Sequence, residues 1–275
     1  MKFTKMHGAG NDYIYFDCLE GEPADPSSLA VRLSDRHKGI GGDGIVLIAK
    51  SGAADAKMRM FNADGSEGKM CGNAIRCVGK YLYDHGIVKK TEITVETLSG
   101  IKTLTLFPEN GKIARARVDM GPASFVPSEI PVLLDGDSVI GRTVSVAGGE
   151  HEITCVSMGN PHCVVFEDPD AADLGRIGPR FENDPLFPER INTEFVKVVG
   201  KNTVKMRVWE RGSGETMACG TGACAVAAAC VALGVCGRGE DIRVILRGGE
   251  LTIRVEDTVL MTGPAEEVFT GEIPD

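Results

Sequence analysis

Apolar and polar positions alternate along much of this chain in short stretches rich in β-branched residues. The clearest are 45–48, 93–97, 102–107, 113–118, 162–166, 194–199, 204–209, 242–246 and 251–255. Turn residues such as Glu109-Asn110-Gly111 and Arg247-Gly248-Gly249 separate them, so the pattern predicts hairpin-connected antiparallel sheet. In three places the pattern is helical instead. Residues 26–35 open on Pro26 and Ser27, while 73–83 and 222–233 each follow a Cys-Gly pair. Strands wrapped around a central helix, twice over, make an α+β architecture of two pseudo-symmetric domains, each a mainly antiparallel sheet or barrel.

The chain is written twice. Met58-Arg59-Met60-Phe61 leads to Cys71-Gly72, and Met206-Arg207-Val208-Trp209 leads to Cys219-Gly220 at the same spacing. Glu67 and Glu215 also coincide, and Gly10-Asn11 falls opposite Gly159-Asn160. The copies end alike, on Met120-Gly121-Pro122-Ala123 and on Met261-Thr262-Gly263-Pro264-Ala265. One repeat per half chain means two similar domains rather than a solenoid. We place the lobes at 1–119 and 120–263, with 264–275 free to return to the first.

Composition narrows the function classes. With 43% apolar and 25% charged residues over 275 positions, the chain can bury a substantial core. No apolar run reaches the ~18 residues of a membrane helix. Met1 to His7 lacks an apolar core with a small-residue cleavage site, so a cytoplasmic protein is expected. A net charge of -9 without a basic stripe argues against nucleic acid. The nine cysteines do not fall in the CxxC pairs of zinc sites. Neither a disulfide framework nor a metal is expected, and most of these thiols should be small buried hydrophobes. An exposed edge strand would admit a homodimer.

The chemistry concentrates at the two Cys-Gly helix starts. The first N–H groups of a helix have no partner inside it, and with the dipole they form an anion site. A carboxylate held by Gly72 and Asn73, or by Gly220 and Thr221, would sit beside a cysteine sulfur. The same dipole favours thiolate by ~0.3–1 kcal/mol, so both thiols are expected below their ordinary pKa. Cys71 and Cys219 could then act on one carbon from opposite faces, one removing a proton and the other delivering one. Charge flowing into the carboxylate would be met by backbone donors of the kind worth ~2.7–4 kcal/mol each in other enzymes.

Several strings together resemble the diaminopimelate epimerase family, in order and spacing, from Met1 to about Pro264. They are His7-Gly8-Ala9-Gly10-Asn11-Asp12, Phe61-Asn62-Ala63-Asp64-Gly65-Ser66, Cys71-Gly72-Asn73, Met158-Gly159-Asn160-Pro161-His162, Arg190-Ile191-Asn192, Glu210-Arg211-Gly212-Ser213-Gly214-Glu215-Thr216 and Ala218-Cys219-Gly220-Thr221-Gly222. The resemblance implies interconversion of LL- and meso-2,6-diaminoheptanedioate, for lysine and peptidoglycan synthesis, without pyridoxal phosphate or metal. It implies that Cys71 and Cys219 are the acid–base pair. Asn11, Asn62, Asn160, Asn192, Glu210 and Arg211 match substrate-binding positions, chiefly for the distal end. Gly72, Asn73, Gly220 and Thr221 match the positions that hold the reacting carboxylate, and His162 and Glu210 match polar residues near the reacting centre. Some relatives carry Gln where this chain has Gly44, so no contact is transferred there.

Other readings are weaker. Gly39-Ile40-Gly41-Gly42-Asp43-Gly44 fits GxGxxG, but a charged stretch precedes it and a strand pattern follows, contrary to a dinucleotide site. His37, His85 and His151 read as surface or structural. A proline or hydroxyproline racemase would keep both cysteines without needing Arg211 and the asparagines. An isomerase of the phenazine-biosynthesis type would lack the cysteine pair, and a redox protein would use the two thiols as a reversible disulfide.

Overall fold

In the computed structural model, which describes residues 1–274, the alternating stretches form the strands of two compact units. One spans Met1–Asp119 and regains the chain from Thr262 onward; the other is Met120–Met261. The first holds β1 (Lys2–Gly8), β2 (Asn11–Cys18), α1 (Pro26–Ser34), β3 (Gly44–Ala49), β4 (Ala56–Asn62), β5 (Glu67–Gly68), α2 (Gly72–Asp84), β6 (Glu92–Thr97), β7 (Gly100–Glu109) and β8 (Lys112–Asp119). The second holds β9 (Arg142–Val146), β10 (Gly149–Ser157), β11 (Pro161–Val165), α3 (Leu174–Glu182), β12 (Asn192–Gly200), β13 (Thr203–Glu210), β14 (Gly214–Glu215), α4 (Gly220–Ala232), β15 (Asp241–Leu246) and β16 (Gly249–Val255). The chain then runs through β17 (Val259–Pro264) into β18 (Glu266–Glu272), which pairs antiparallel with β1.

The units repeat one topology. In the first, β1–β2 is antiparallel, β2–β3 parallel across α1, β3–β4 and β4–β5 antiparallel, β4–β6 parallel across α2, and β6–β7 antiparallel. The second runs β10–β11, β11–β12 across α3, β12–β13, β13–β14, β13–β15 across α4, and β15–β16, with the same directions in the same order. The sheet is mainly antiparallel, as expected, but hairpins do not make every connection. Each unit has two parallel pairs, because each carries two helical crossovers, which a two-residue turn could not replace.

One of those crossovers is invisible in the sequence pattern. Helix α3 contains Gly175, Gly178 and an internal Pro179, all poor helix formers. Tertiary packing makes it a helix all the same. Phe181 and Leu174 enter a core with Phe187, Ile191 and Phe195, each such side chain worth ~1.5–3 kcal/mol of burial. Helix α1 plays the same part in the first unit, where Leu29, Ala30 and Leu33 meet Ile14, Phe16, Ile45 and Leu47.

The central helices are sealed in different ways. Helix α4 is built from Gly, Ala, Cys, Thr and Val, and every residue from Gly220 to Cys230 except Thr221 is buried. Small side chains let strands approach from all sides, the pattern of a fully enclosed helix. Helix α2 is buried from Gly72 to Leu82 yet carries Arg76 and Lys80. Their charges are satisfied locally: Lys80 bonds Asp84 and the Ile113 carbonyl, each at 2.7 Å. Arg76 bonds the Gly72 carbonyl at 3.0 Å, Asn73 Oδ1 at 2.9 Å and the Pro264 carbonyl at 3.2 Å.

The repeat's shared residues now have a reason. Arg59 pairs with Glu67 and Arg207 with Glu215, both at 2.7 Å, bracing the short β4–β5 and β13–β14 returns that deliver the chain to each cysteine. Packing above the second return is tight. A β-carbon placed on Gly178 would lie 2.4–2.7 Å from the Trp209 ring, whereas at Gly175 the nearest atom is 3.6 Å away. Overpacking of this kind costs ~1–3 kcal/mol, more than a helix gains from Ala over Gly. Gly178→Ala should therefore lower the thermal midpoint by several degrees, and Gly175→Ala should leave it unchanged or raised, as read by circular dichroism.

Candidate active site

In each unit the chain reaches its central helix through a cysteine in extended backbone. Cys71 is the N-cap of α2, its sulfur accepting the Ala74 N–H at 3.5 Å. Cys219 is the N-cap of α4, its sulfur accepting the Gly222 N–H at 3.4 Å. A sulfur in this role takes the place of the usual Ser or Asp oxygen. The helical bonds begin with Ile75 N–H to the Cys71 carbonyl and Ala223 N–H to the Cys219 carbonyl, each 3.0 Å. The N–H groups of Gly72, Asn73, Gly220 and Thr221 therefore stand ahead of the ladder, where a helix has no internal partner for them.

Around Cys71 the neighbours are amides. The β1–β2 hairpin turns on Ala9 and Gly10, both at positive φ (55° and 82°), as a two-residue turn of this twist requires. That turn brings Asn11 to the sulfur: Cys71 Sγ donates to Asn11 Oδ1 at 3.4 Å, and Asn73 Nδ2 donates to the same oxygen at 3.3 Å. Asn62 ends β4, where its amide donates to Ser66 Oγ at 3.0 Å and so holds its own loop.

Around Cys219 the neighbours are charged. Thr221 Oγ1 lies 3.5 Å from the sulfur and accepts from Asn160 Nδ2 at 3.3 Å. Asn160 Oδ1 faces His162 Nε2 at 3.1 Å, and His162 Nδ1 meets Glu194 Oε1 at 2.7 Å with both side chains fully buried. Glu210, closing β13, accepts a hydrogen bond from Thr216 Oγ1, and its charge acts on the Cys219 thiol. Asn192 is opposite His162 in the parallel β11–β12 register. Its amide donates to the Pro161 carbonyl and accepts the Arg211 N–H, each at 2.8 Å. Arg211 itself bonds the Glu189 carbonyl at 2.9 Å.

The expected lowering of both thiol pKa values is overturned at Cys219. Burial pushes this thiol well above its ordinary value, and the Glu210 and Glu194 charges push the same way. Thr221 and the Gly222 N–H oppose them without prevailing. The helix dipole is the smaller effect: a term of ~0.3–1 kcal/mol is outweighed by desolvation and two carboxylates. Burial also raises Glu210, against the hydrogen bonds from Thr216 and Cys219 and the charge of His162.

Five residues that matter here were given no role by the sequence reading. Asp43 lies in the glycine-rich loop and accepts from Asn11 Nδ2 at 2.6 Å, fixing which end of that amide faces the sulfur. Burial and the charge of Asp12 raise Asp43, while Arg36 and Asn11 oppose them. Arg36 bonds both carboxylates, at 2.7 and 2.9 Å. Glu182 on α3 ties down the loop carrying Arg211, accepting from Gly212 N–H at 2.9 Å and Trp209 Nε1 at 2.7 Å. Thr216 and Glu194 complete the set. Gly44 opens β3 in full burial, and a β-carbon there would fall 2.1 Å from the Phe61 carbonyl oxygen, so no glutamine fits this backbone. Among the described residues no three His, Cys, Asp or Glu side chains are grouped to hold a metal ion.

Comparison with known proteins shows the family and the fold. The family model described as diaminopimelate epimerase matches residues 3–126 and 154–268. The chain is 56% identical to a diaminopimelate epimerase from Desulfovibrio desulfuricans, covering 99% of this chain and 98% of that one. It is 54% identical to another from Acetivibrio thermocellus, with the same coverage. Among solved structures, a phenazine biosynthesis protein of the PhzF family from Bacillus anthracis superposes with a TM-score of 0.73 at 16% identity, covering 100% and 99% of the two chains. A hydroxyproline epimerase from Agrobacterium vitis gives 0.67 at 17%, covering 98% and 91%. These distant structures share the fold of two pseudo-symmetric α+β domains. The near relatives and the family model carry the assignment: this chain belongs to the diaminopimelate epimerase family.

Proposed function

We propose that this protein epimerises LL-2,6-diaminoheptanedioate to the meso form by a two-cysteine acid–base mechanism without added cofactor, in the cytoplasmic synthesis of lysine and peptidoglycan precursors. The observation that carries the mechanism is the same in both units: a sulfur caps the N-terminus of the central helix, beside N–H groups that can hold a carboxylate.

The α-proton of an amino acid is weakly acidic, so its removal needs the developing enediolate charge to be met where it forms. Backbone donors from Gly72, Asn73, Gly220 and Thr221 meet it without reorganising. Cys219 begins as the thiol, since burial and two carboxylates favour its neutral form. In that direction Cys71, ionised by releasing to solvent the proton it otherwise donates to Asn11, takes the α-proton and Cys219 gives its own to the opposite face, leaving Cys71 as thiol and Cys219 as thiolate. The meso substrate runs the exchange backwards. Glu210, whose charge acts on Cys219, and His162 stand at the reacting centre. Arg211, with donors beyond the one on Glu189, takes the distal carboxylate, together with Asn11, Asn62 and Asn160. Asn192 acts through Arg211, whose main chain it holds. A site with this many polar groups discriminates against substrates lacking the distal end, whose absence would leave those groups unpaired.

Incubated with LL-diaminoheptanedioate in deuterated water, the reduced wild-type protein should incorporate α-deuterium while optical rotation changes. Cys71→Ser and Cys219→Ser should each lose at least ~100-fold in that rate, and wild-type exchange in either variant would end the two-thiol reading. The mechanism also requires both sulfurs to address one carbon. Diamide treatment should therefore abolish activity and yield a peptide joining Cys71 to Cys219, with dithiothreitol reversing both. Asp43→Ala removes the charged anchor of Asn11, and loss of a charged hydrogen bond of ~1.5–3 kcal/mol predicts kcat/KM down about tenfold or more.

A further inference from the structure

We propose that Glu194 is a positioning residue of this site, which fixes the His162 ring and places a second carboxylate behind the Cys219 sulfur. The inference deepens the reading of Cys219 as an acid and rests on it. Glu194 stands in the buried half of β12, opposite Val164 and Val208 on its two neighbouring strands. A carboxylate among such neighbours is costly unless it is partnered. One oxygen has a partner, His162 Nδ1, at 2.7 Å. The other, Oε2, is buried with none, a cost that a purely structural position would shed by substitution with an apolar residue.

The geometry indicates what that cost supports. Because a carboxylate and an amide oxygen both only accept, His162 donates Nδ1–H to Glu194 Oε1 and Nε2–H to Asn160 Oδ1, 3.1 Å away. Asn160 in turn donates to Thr221 at the helix start. The ring cannot flip without stranding Glu194 entirely. Glu194 also approaches the sulfur itself. Gly222 is the third residue after Cys219, and a β-carbon on it would lie 2.6 Å from Glu194 Oε1 and 3.3 Å from Cys219 Sγ. Glycine at this position lets the carboxylate and the sulfur share one small space. The charged groups acting on Cys219 are thus Glu194 from β12 and Glu210 from β13, with His162 from β11 bonded to the first and acting on the charge of the second.

Two variants separate the roles. Glu194→Gln keeps the shape and removes the charge; Glu194→Asp keeps the charge and draws it back by one methylene. The measurement is the pH dependence of iodoacetamide alkylation at Cys219, followed by peptide mass spectrometry, alongside kcat and KM for each folded variant. A nearby negative charge disfavours thiolate, so Glu194→Gln should move the Cys219 profile toward lower pH by about one unit. Its kcat should fall about tenfold or more with KM within about twofold. Glu194→Asp should keep the alkylation profile and still lose kcat, since it no longer holds the ring. A folded Glu194→Gln protein whose Cys219 profile and kcat match wild type would overturn the proposal. Should Glu194→Gln fail to fold, wild-type kcat in Glu194→Asp would overturn it equally. The alkylation profile needs no turnover. An absence of epimerase activity in the wild type would therefore sink the catalytic reading while the role of Glu194 is still measured.

Discussion

The structure depends on how a helix starts. Both central helices begin at a cysteine whose sulfur accepts the third N–H of the first turn. This one contact fixes the rotamer of the sulfur and sets it beside donors that the helix cannot use itself. Everything else in each unit serves to hold that helix end still. The strands enclose the helix body, a parallel crossover feeds it, and an Arg–Glu pair braces the short return just before the cysteine. A sulfur on a loop would have neither a fixed direction nor the adjacent donors.

Symmetry of backbone does not extend to charge. Cys71 is half-buried among neutral amides from Asn11 and Asn73, while Cys219, only 5% exposed, faces Glu210 and Glu194. The same cap therefore operates in two electrostatic settings, and burial with carboxylates outweighs the dipole in one of them. The proposed acid–base pair would need its members unlike at the start of each turnover. The side chains on β12 and β13 make the two settings unlike without altering the fold.

The parts of this design written in local sequence were legible there. Alternation located β3, the strands from β6 to β8, those from β11 to β13, and β15 and β16, and the Cys-Gly pairs located both helix starts within two residues. What escaped was tertiary in origin. Strand β1 hides its alternation because Thr4 and Lys5 are buried, with Lys5 paired to Asp12. Helix α3 is held together by its core rather than by its own residues. Parallel pairing cannot be seen in a period of two. Asp43 and Glu194 read as one more loop acid and one polar residue in a strand; only folding brings Asp43 to Asn11 and Glu194 to His162. The glycine-rich loop, correctly refused as a dinucleotide motif, matters for the carboxylate it carries.

Gly44 shows how such sites can diverge. The carbonyl of Phe61 lies so near that position 44 has no volume for any side chain, and the two residues belong to strands paired along their whole length. A relative with glutamine there cannot be reached from this backbone by exchanging one codon, since β3 and β4 would first have to separate. Variation at that point must instead arrive as a coordinated exchange of loop and strand together. What this position can hold is in that respect inherited with the sheet geometry rather than tuned residue by residue.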